Sequence, residues 1–267
     1  MRIAQRIWVR FIPALALLMA LMTAGAEQRT IRATILYDNY DSREGCKADW
    51  GFACLIEGTE KTILFDAGTQ GDILLHNVER LQVDLSKVQA VVISHTHEDH
   101  TGGLVAALGR IGKVPVYLPY SSPPELVKLI AGAGAQVIRR KEPVSISGDA
   151  MLTGEMGNEI REQSLILKSA RGLVVVTGCS HPGIVEILER AKELGRADIH
   201  MVFGGFHLLR HSAAEVEKII AGFRELGVRN VGATHCTGDE AIAIFRKDFG
   251  PNYVKLGVGS VYSLTTP

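Results

Sequence analysis

Four side chains that could bind metal ions lie within six consecutive residues. The segment reads His-Thr-His-Glu-Asp-His, and its candidate ligands are His95, His97, Asp99 and His100. Imidazole and carboxylate groups suit Zn²⁺, Mn²⁺ or iron. One cation rarely takes four ligands from so short a loop, because ring orientation limits which groups can converge. Two adjacent cations could divide them, with His95 and His97 at one and Asp99 and His100 at the other.

The segment directly follows an apolar run, Ala90–Ile93, which has the length and composition of a buried strand. Three further histidines share this position after a predicted strand: His181 after Leu173–Thr177, His207 after Ile199–Phe203 and His235 after Val228–Ala233. In α/β folds, sites gather at the carboxyl ends of strands, so we expect these four strand ends to converge. The remaining histidines, His76, His200 and His211, have no partner motif and are predicted as ordinary surface or packing residues.

Strands and helices mix along the whole chain, and hairpins occur among the βα units. Predicted strands are Ile31–Tyr37, Phe52–Glu57, Thr62–Phe65, Val116–Leu118 and Ser164–Leu167, besides those already named. Predicted helices are Gly71–Leu81, Leu104–Leu108, Pro124–Ile130, Ile184–Leu194, Ala213–Leu226 and Ala241–Phe249. This mixture favours an α/β fold with two sheets and outer helices, an αββα sandwich, over a single parallel sheet.

The first 26 residues have the pattern of a secretory signal peptide. Three arginines precede an apolar stretch, Phe11–Met22, and Ala24-Gly25-Ala26 fits a cleavage site. We therefore expect residues 1–26 to be removed and residues 27–267 to form one domain, periplasmic or secreted. No stable membrane insertion is expected after cleavage, and the alternative is an uncleaved amphipathic anchor.

The chain balances 29 basic residues against 29 acidic ones. This balance argues against a dedicated nucleic-acid binder, which would show a basic excess. The expected partner is a small-molecule substrate, and the oligomeric state stays open.

An oxidising compartment would permit a disulfide between Cys46 and Cys54. Cys179 could touch a metal or simply be a small buried residue.

The motif His95-x-His97-x-Asp99-His100 after a strand resembles the signature of the metallo-β-lactamase fold superfamily. Asp66 lies in a turn that resembles the one whose Asp supports the metal loop in that superfamily. Four more segments resemble a branch of metal-dependent hydrolases that includes 7,8-dihydropterin-6-methyl-4-(β-D-ribofuranosyl)aminobenzene-5′-phosphate synthases: Trp50–Phe52, Thr177–Gly183, Gly204–His207 and His235–Gly238. The resemblance implies the αββα sandwich of the metallo-β-lactamase type and two divalent metal ions, with zinc favoured over manganese or iron.

The chain departs from that pattern in two places. It has no histidine between His100 and His181, where many members carry Gly-His-Thr, and Cys179 stands where a bridging Asp would fall. His181 could take over a ligand place, and Glu155 is a reserve candidate. The export signal also argues against pterin cofactor synthesis, which is expected in the cytosol.

Two cations held side by side would acidify a shared water and polarise a scissile bond. We therefore predict a hydrolase of an ester or phosphoester-type small molecule that uses metal-bound hydroxide. Asp99 would hold one metal and orient the water, and His207 would stabilise negative charge or protonate the leaving group. His181 and His235 would complete the two metal shells. The alternatives are a dihydropterin-linked condensing synthase of the same branch and a metal-binding protein that binds a ligand without turnover.

Overall fold

The chain is described by a computed structural model that covers residues 30–265. The predicted signal peptide, residues 1–26, lies outside this range. None of the helices within the described range combines the length and the apolar character needed to cross a membrane.

Within residues 30–265, thirteen strands form two sheets. They are β1 Thr30–Tyr37, β2 Ala53–Glu57, β3 Ile63–Phe65, β4 Ala90–Val92, β5 Pro115–Pro119, β6 Gln136–Arg140, β7 Val144–Ser145, β8 Ala150–Leu152, β9 Leu165–Ser169, β10 Gly172–Thr177, β11 Ile199–Gly205, β12 Asn230–Thr234 and β13 Val261–Thr265. The first sheet has the order β13-β1-β2-β3-β4-β5-β6, and the second has the order β12-β11-β10-β9-β8-β7.

Seven α-helices accompany the strands in the described chain. They are α1 Gly71–Arg80, α2 Glu98–Thr101, α3 Leu104–Ile111, α4 Pro124–Gly132, α5 Ile184–Gly195, α6 Ala213–Glu225 and α7 Asp239–Phe249. The first four pack on the first sheet or its loops, and the last three pack on the second sheet.

Three apolar clusters hold these layers together, one between the sheets and one under each set of helices. Strand β2 shows how one run of residues serves two of them. Cys54 and Ile56 belong to the cluster between the sheets, while Ala53 and Leu55 face the helices. Successive side chains of a strand point to opposite faces, so a strand buried on both faces is apolar throughout. The predicted αββα sandwich is confirmed.

Parallel strands set the position of the loops that follow them. Strands β3 to β6 run parallel in the first sheet, as do β10, β11 and β12 in the second. The carboxyl ends of parallel neighbours meet at one edge of their sheet. The loops after β4, β10, β11 and β12 therefore gather at two edges, which the packing of the sheets brings together.

The sequence did not predict β6, β7 and β8. Strand β6 is a charged, largely exposed edge, and the other two contain only two or three residues, too few to show a period. The short helix α2 inside the histidine loop was missed for the same reason.

All four cysteines are free thiols, so the disulfide considered between Cys46 and Cys54 is not formed. Cys54 is fully buried between the sheets.

Candidate metal centre

All seven predicted site residues lie at the edge where the strand ends meet. Their donor atoms form overlapping groups, and within each group the atoms lie within 4.8 Å of one another. The groups are His95 with His97 and Asp99, His95 with Cys179 and His181, Asp99 with His100, Cys179 and His235, and Cys179 with His207 and Cys236. The predicted convergence of four histidine-bearing strand ends is therefore present in the folded chain.

Asp66, in the turn after β3, supports the histidine loop from below. Its Oδ2 accepts hydrogen bonds from His100 Nδ1 at 2.7 Å and from Ser94 Oγ at 2.7 Å. Ser94 Oγ also lies 3.0 Å from His95 Nδ1. These contacts use the Nδ1 atoms and leave Nε2 of both rings to face the centre, the usual arrangement of metal-binding histidines.

The charges of this buried group depend on one another. Burial raises the pKa of Asp66. Burial alone would lower the pKa of His100, but its interactions with Asp66 and Asp99 raise it to about 10. In the metal-free protein the His100 imidazole is therefore protonated on both ring nitrogens, and a cation at Nε2 would have to displace the proton there.

Glu162 orients the loop after β10, and sequence reasoning missed it. This fully buried carboxylate accepts hydrogen bonds from the backbone N–H groups of Cys179, Ser180 and His181 at 3.0, 2.9 and 3.0 Å. It also accepts from His181 Nδ1 at 2.9 Å. Burial would raise the pKa of Glu162, but these hydrogen bonds and the nearby His95 hold it well below its usual range. The carboxylate therefore stays ionised and points His181 Nε2 at the centre.

His235 is oriented by a residue that is distant from it in the sequence. Asn39 Oδ1 lies 2.9 Å from His235 Nδ1, across 196 positions of sequence. The other ring nitrogen, Nε2, lies 3.3 Å from Asp99 Oδ2 and 3.4 Å from Cys179 Sγ. Nothing in the sequence around Asn39 indicates that it orients a histidine, because His235 comes near it only when both sheets pack.

Cys179 lies between the two sets of imidazoles. Its sulfur is 3.3 Å from His100 Nε2, and it also belongs to the group formed with His95 and His181. Burial raises the pKa of this thiol in the metal-free protein. A metal-bound thiol loses its proton, so the position would suit a thiolate shared by, or placed under, two cations.

The donor set fits divalent cations. Burial lowers the pKa of both His95 and His97, so these imidazoles are neutral near pH 7. Burial would raise the pKa of Asp99, but hydrogen bonds with His100 and His235 hold it far below its usual range. Neutral imidazoles, an ionised carboxylate and a thiol are the ligands that zinc and related metals take from proteins.

His207 lies at the mouth of the centre. Its exposed ring is 4.4 Å from that of His181, and a hydrogen bond with Cys236 raises its pKa. It borders a cavity of about 300 Å³ whose walls include the apolar side chains of Ile184 and Phe206. Across the centre, the exposed Trp50 ring lies 5.1 Å from the His235 ring. A small molecule at the metals would touch these groups.

The reserve ligand Glu155 lies elsewhere. Its Oε2 accepts a hydrogen bond from the Ser121 N–H at 2.7 Å, and it belongs to none of the ligand groups formed by residues 30–265. The structure therefore does not group the reserve candidate Glu155 with the other predicted ligands.

The backbone is strained where it presents these side chains. Six non-glycine residues of the described chain have positive φ, and four of them, Asp66, Ser180, His207 and His235, lie at or directly beneath the centre. Such conformations cost of order 1–3 kcal/mol each and persist where the surrounding structure enforces them. Their concentration here is typical of a functional site.

Comparisons with known proteins agree with this geometry. The sequence profile of the metallo-β-lactamase superfamily matches residues 51–132, which include Asp66 and the histidine loop. An uncharacterised protein of Methanocaldococcus jannaschii is 30% identical over 227 residues, covering 73% of this chain and 86% of that protein. The chain belongs to the metallo-β-lactamase superfamily.

Two further proteins resemble the chain over most of its length. The 7,8-dihydropterin-6-methyl-4-(β-D-ribofuranosyl)-aminobenzene-5′-phosphate synthase of Methanocaldococcus jannaschii is 26% identical over 262 residues, covering 79% of this chain and 88% of the synthase. A crystal structure described as a metal-dependent hydrolase of the β-lactamase superfamily superposes with a TM-score of 0.72 at 29% identity, covering 87% of this chain and 98% of that one. The proteins similar to this chain thus include both a synthase and a hydrolase.

Proposed function

We propose that this protein is a metal-dependent hydrolase that holds two divalent cations and cleaves an ester or phosphoester-type bond in a small molecule. The observation that supports this most directly is the convergence of imidazoles, Asp99 and Cys179 in overlapping groups with donor atoms within 4.8 Å. Zinc is the favoured metal, with manganese or iron as alternatives. When bound, the pair of cations would acidify a water and polarise the scissile bond.

The ligand groups suggest how the side chains divide between two cations. One would take His95, His97 and His181, and the other Asp99, His100 and His235. Cys179 would lie between them. This assignment keeps the division of the histidine loop predicted from sequence and adds one histidine to each half.

The protein's own groups would position the reactants. Asp99, whose Oδ2 faces two imidazoles, would orient the attacking water through its other oxygen. His207, exposed beside His181, would stabilise developing negative charge or protonate the leaving group. The cavity of about 300 Å³ next to His207 would hold the substrate's apolar part.

Removing one ligand tests this proposal. His97→Ala and Asp99→Ala should each lose bound metal and activity together. The readouts are elemental analysis and a screen of phosphodiesters, phosphonate esters, lactones and nitrocefin. Glu98→Ala is the matched control, because Glu98 lies in the same loop, is exposed and belongs to no ligand group in the described chain. Full metal content with full turnover in His97→Ala would sink the assignment.

A second candidate is a dihydropterin-linked condensing synthase. The similarity to the archaeal synthase over 88% of its length favours it. Purified protein that turns over dihydropterin substrates but no hydrolytic substrate would favour the synthase. Protein that binds metal and ligand but turns over neither set would point to a binding protein.

We also propose that residues 1–26 direct export and are removed, which places the domain in the periplasm or outside the cell. The basis is the arginine-rich start, the apolar stretch and the Ala24-Gly25-Ala26 site. Cell fractionation with mass spectrometry of the mature protein tests this, and an intact Met1 in the cytosolic fraction would contradict it. The expected partner remains a small-molecule substrate rather than a nucleic acid.

A further inference from the structure

A second concave site lies away from the metal centre. A cleft of about 800 Å³ opens at the amino ends of β10, β11 and β12, and the first sheet contributes Tyr262 to its wall. The metal ligands follow the carboxyl ends of the same strands. Strand β11 has seven residues, so the two sites are roughly 20 Å apart.

The cleft is strongly basic. Arg171, Arg224 and Arg229 line it. Arg224 is neutralised, because its guanidinium contacts Asp248 Oδ1 with Nε at 3.2 Å and Nη2 at 2.5 Å. Arg171 and Arg229 have no carboxylate within ion-pair distance among residues 30–265. Two guanidinium groups thus line the same cleft without an ion-pair partner in the described part of the chain.

His200, on β11, supplies a second and independent observation. Only 7% of the surface of this residue is exposed, and Nδ1 has no hydrogen-bond partner among the described residues. Its Nε2 lies 3.4 Å from Asn230 Nδ2, which is a donor. If Nε2 accepts from this amide, the ring hydrogen lies on Nδ1, for which the described residues offer no acceptor.

The same ring lies within the electric field of the unpaired arginines. Burial lowers the pKa of His200, and the charges of Arg171 and Arg229 lower it further. Buried donors are normally paired, and an exception calls for an explanation. Sequence analysis predicted an ordinary surface or packing residue here, whereas the folded chain places an imidazole with an unpaired Nδ1 in the wall of a cationic cleft.

We propose that this cleft binds a small dianionic molecule of the phosphate or phosphate-ester class, at a site separate from the metal centre. Arginine guanidinium groups match phosphate oxygens with paired hydrogen bonds. The volume lies in the range of small-molecule sites. The chain's balance of 29 basic and 29 acidic residues offers no broad basic surface for a nucleic acid, so the occupant is a small molecule.

Calorimetric titration with inorganic phosphate tests this proposal on metal-loaded protein and on chelator-stripped protein. The expected result is a binding event that survives metal removal and weakens at least about ten-fold in Arg171→Gln/Arg229→Gln. The matched control is Arg110→Gln/Arg190→Gln, which removes the same charge from two helix arginines that do not line the cleft. That control should bind phosphate like the unaltered protein.

Three results would overturn the proposal. Phosphate binding that disappears with the metal would place the anion at the metal centre, and binding equal in both double variants would exclude the cleft. Co-sedimentation with phosphatidic acid vesicles separates a lipid headgroup from a soluble ligand, and binding to vesicles alone would contradict a small-molecule site.

Discussion

At the scale of single residues, the orientation of the imidazoles depends on groups that would touch no metal. Asp66, Glu162 and Asn39 each occupy one Nδ1 atom and turn the opposite Nε2 toward the centre. Supporting contacts of this kind set the tautomer and the direction of a ligand. Glu162 makes the most of these supporting contacts, since its carboxylate accepts hydrogen bonds from one imidazole and from three backbone N–H groups.

Glu162→Gln should therefore weaken metal binding without removing a ligand. An amide accepts fewer and weaker hydrogen bonds than a carboxylate, so His181 and its loop lose their fixed direction. We expect zinc affinity to fall by about 10–100-fold, measured by competition with a chromophoric chelator. Glu155→Gln is the control, since Glu155 lies outside the ligand groups of the described chain. Equal affinity in the two variants would contradict the positioning role.

The place of Cys179 leads to a spectroscopic prediction. Its sulfur lies 3.3 Å and 3.4 Å from two imidazole nitrogens, where a cation would also contact it. Cobalt-substituted protein should show thiolate-to-metal charge-transfer absorption, lost in Cys179→Ser and retained in Cys236→Ser. Loss of the band in Cys236→Ser but not in Cys179→Ser would identify Cys236 as the metal-bound thiolate and contradict the prediction.

At the scale of elements, the centre exists because strand ends approach one another unusually closely. The end of β10 passes over the turn before the histidine loop at Gly178. A Cβ atom there would lie 2.1 Å from Ser94 Oγ and 3.1 Å from Asp66 Oδ2. Glycine allows this approach because it has no side chain.

Gly178→Ala should thus damage the centre although alanine ligates nothing. The methyl group would push Ser94 from Asp66 and shift the loop that bears Cys179 and His181. We expect a loss of stability of about 1–3 kcal/mol and a lower metal content, measured by urea unfolding and elemental analysis. Gly109→Ala is the control, because a Cβ in that helix meets no atom within 4 Å. Unchanged metal content in Gly178→Ala would refute the close-packing argument.

At the scale of the whole molecule, the two sheets are joined next to the centre by a buried carboxylate. Asp38 follows β1 of the first sheet, and Thr234 ends β12 of the second. Thr234 Oγ1 lies 2.9 and 2.7 Å from the two Asp38 oxygens. Since Asn39 comes next and holds His235, the packing of the sheets and the geometry of the centre are linked.

This link predicts a pH dependence of stability. Burial raises the pKa of Asp38 from 3.8 to about 6. Between these values the folded protein holds a proton that the unfolded chain has lost, so the free energy of unfolding falls as pH rises. The fall is up to about 3 kcal/mol. Asp38→Asn should lack it, as measured by urea unfolding of chelator-treated protein from about pH 4 to 7. Identical pH profiles of the two proteins would contradict the prediction.

Much of the fold was predictable because its signals are local. The apolar runs of β1, β2, β4, β10 and β11, and the periodic helices α1, α5, α6 and α7, lie within a few residues of where the sequence placed them. Strands β6 to β8 were not predictable, since they are short or exposed and their pairing is set by neighbours rather than by their own residues.

The sequence by itself determined the ligand types, their positions at strand ends and the superfamily, since these depend on residue identity and short spacing. Tertiary structure alone decided which groups meet. It brought Glu162 beneath the loop of His181 and Asn39 to His235 across 196 positions, and it did not group Glu155 with the other predicted ligands. The physical reason is that a hydrogen bond between distant segments leaves no local period or spacing, and it forms only when both sheets have packed.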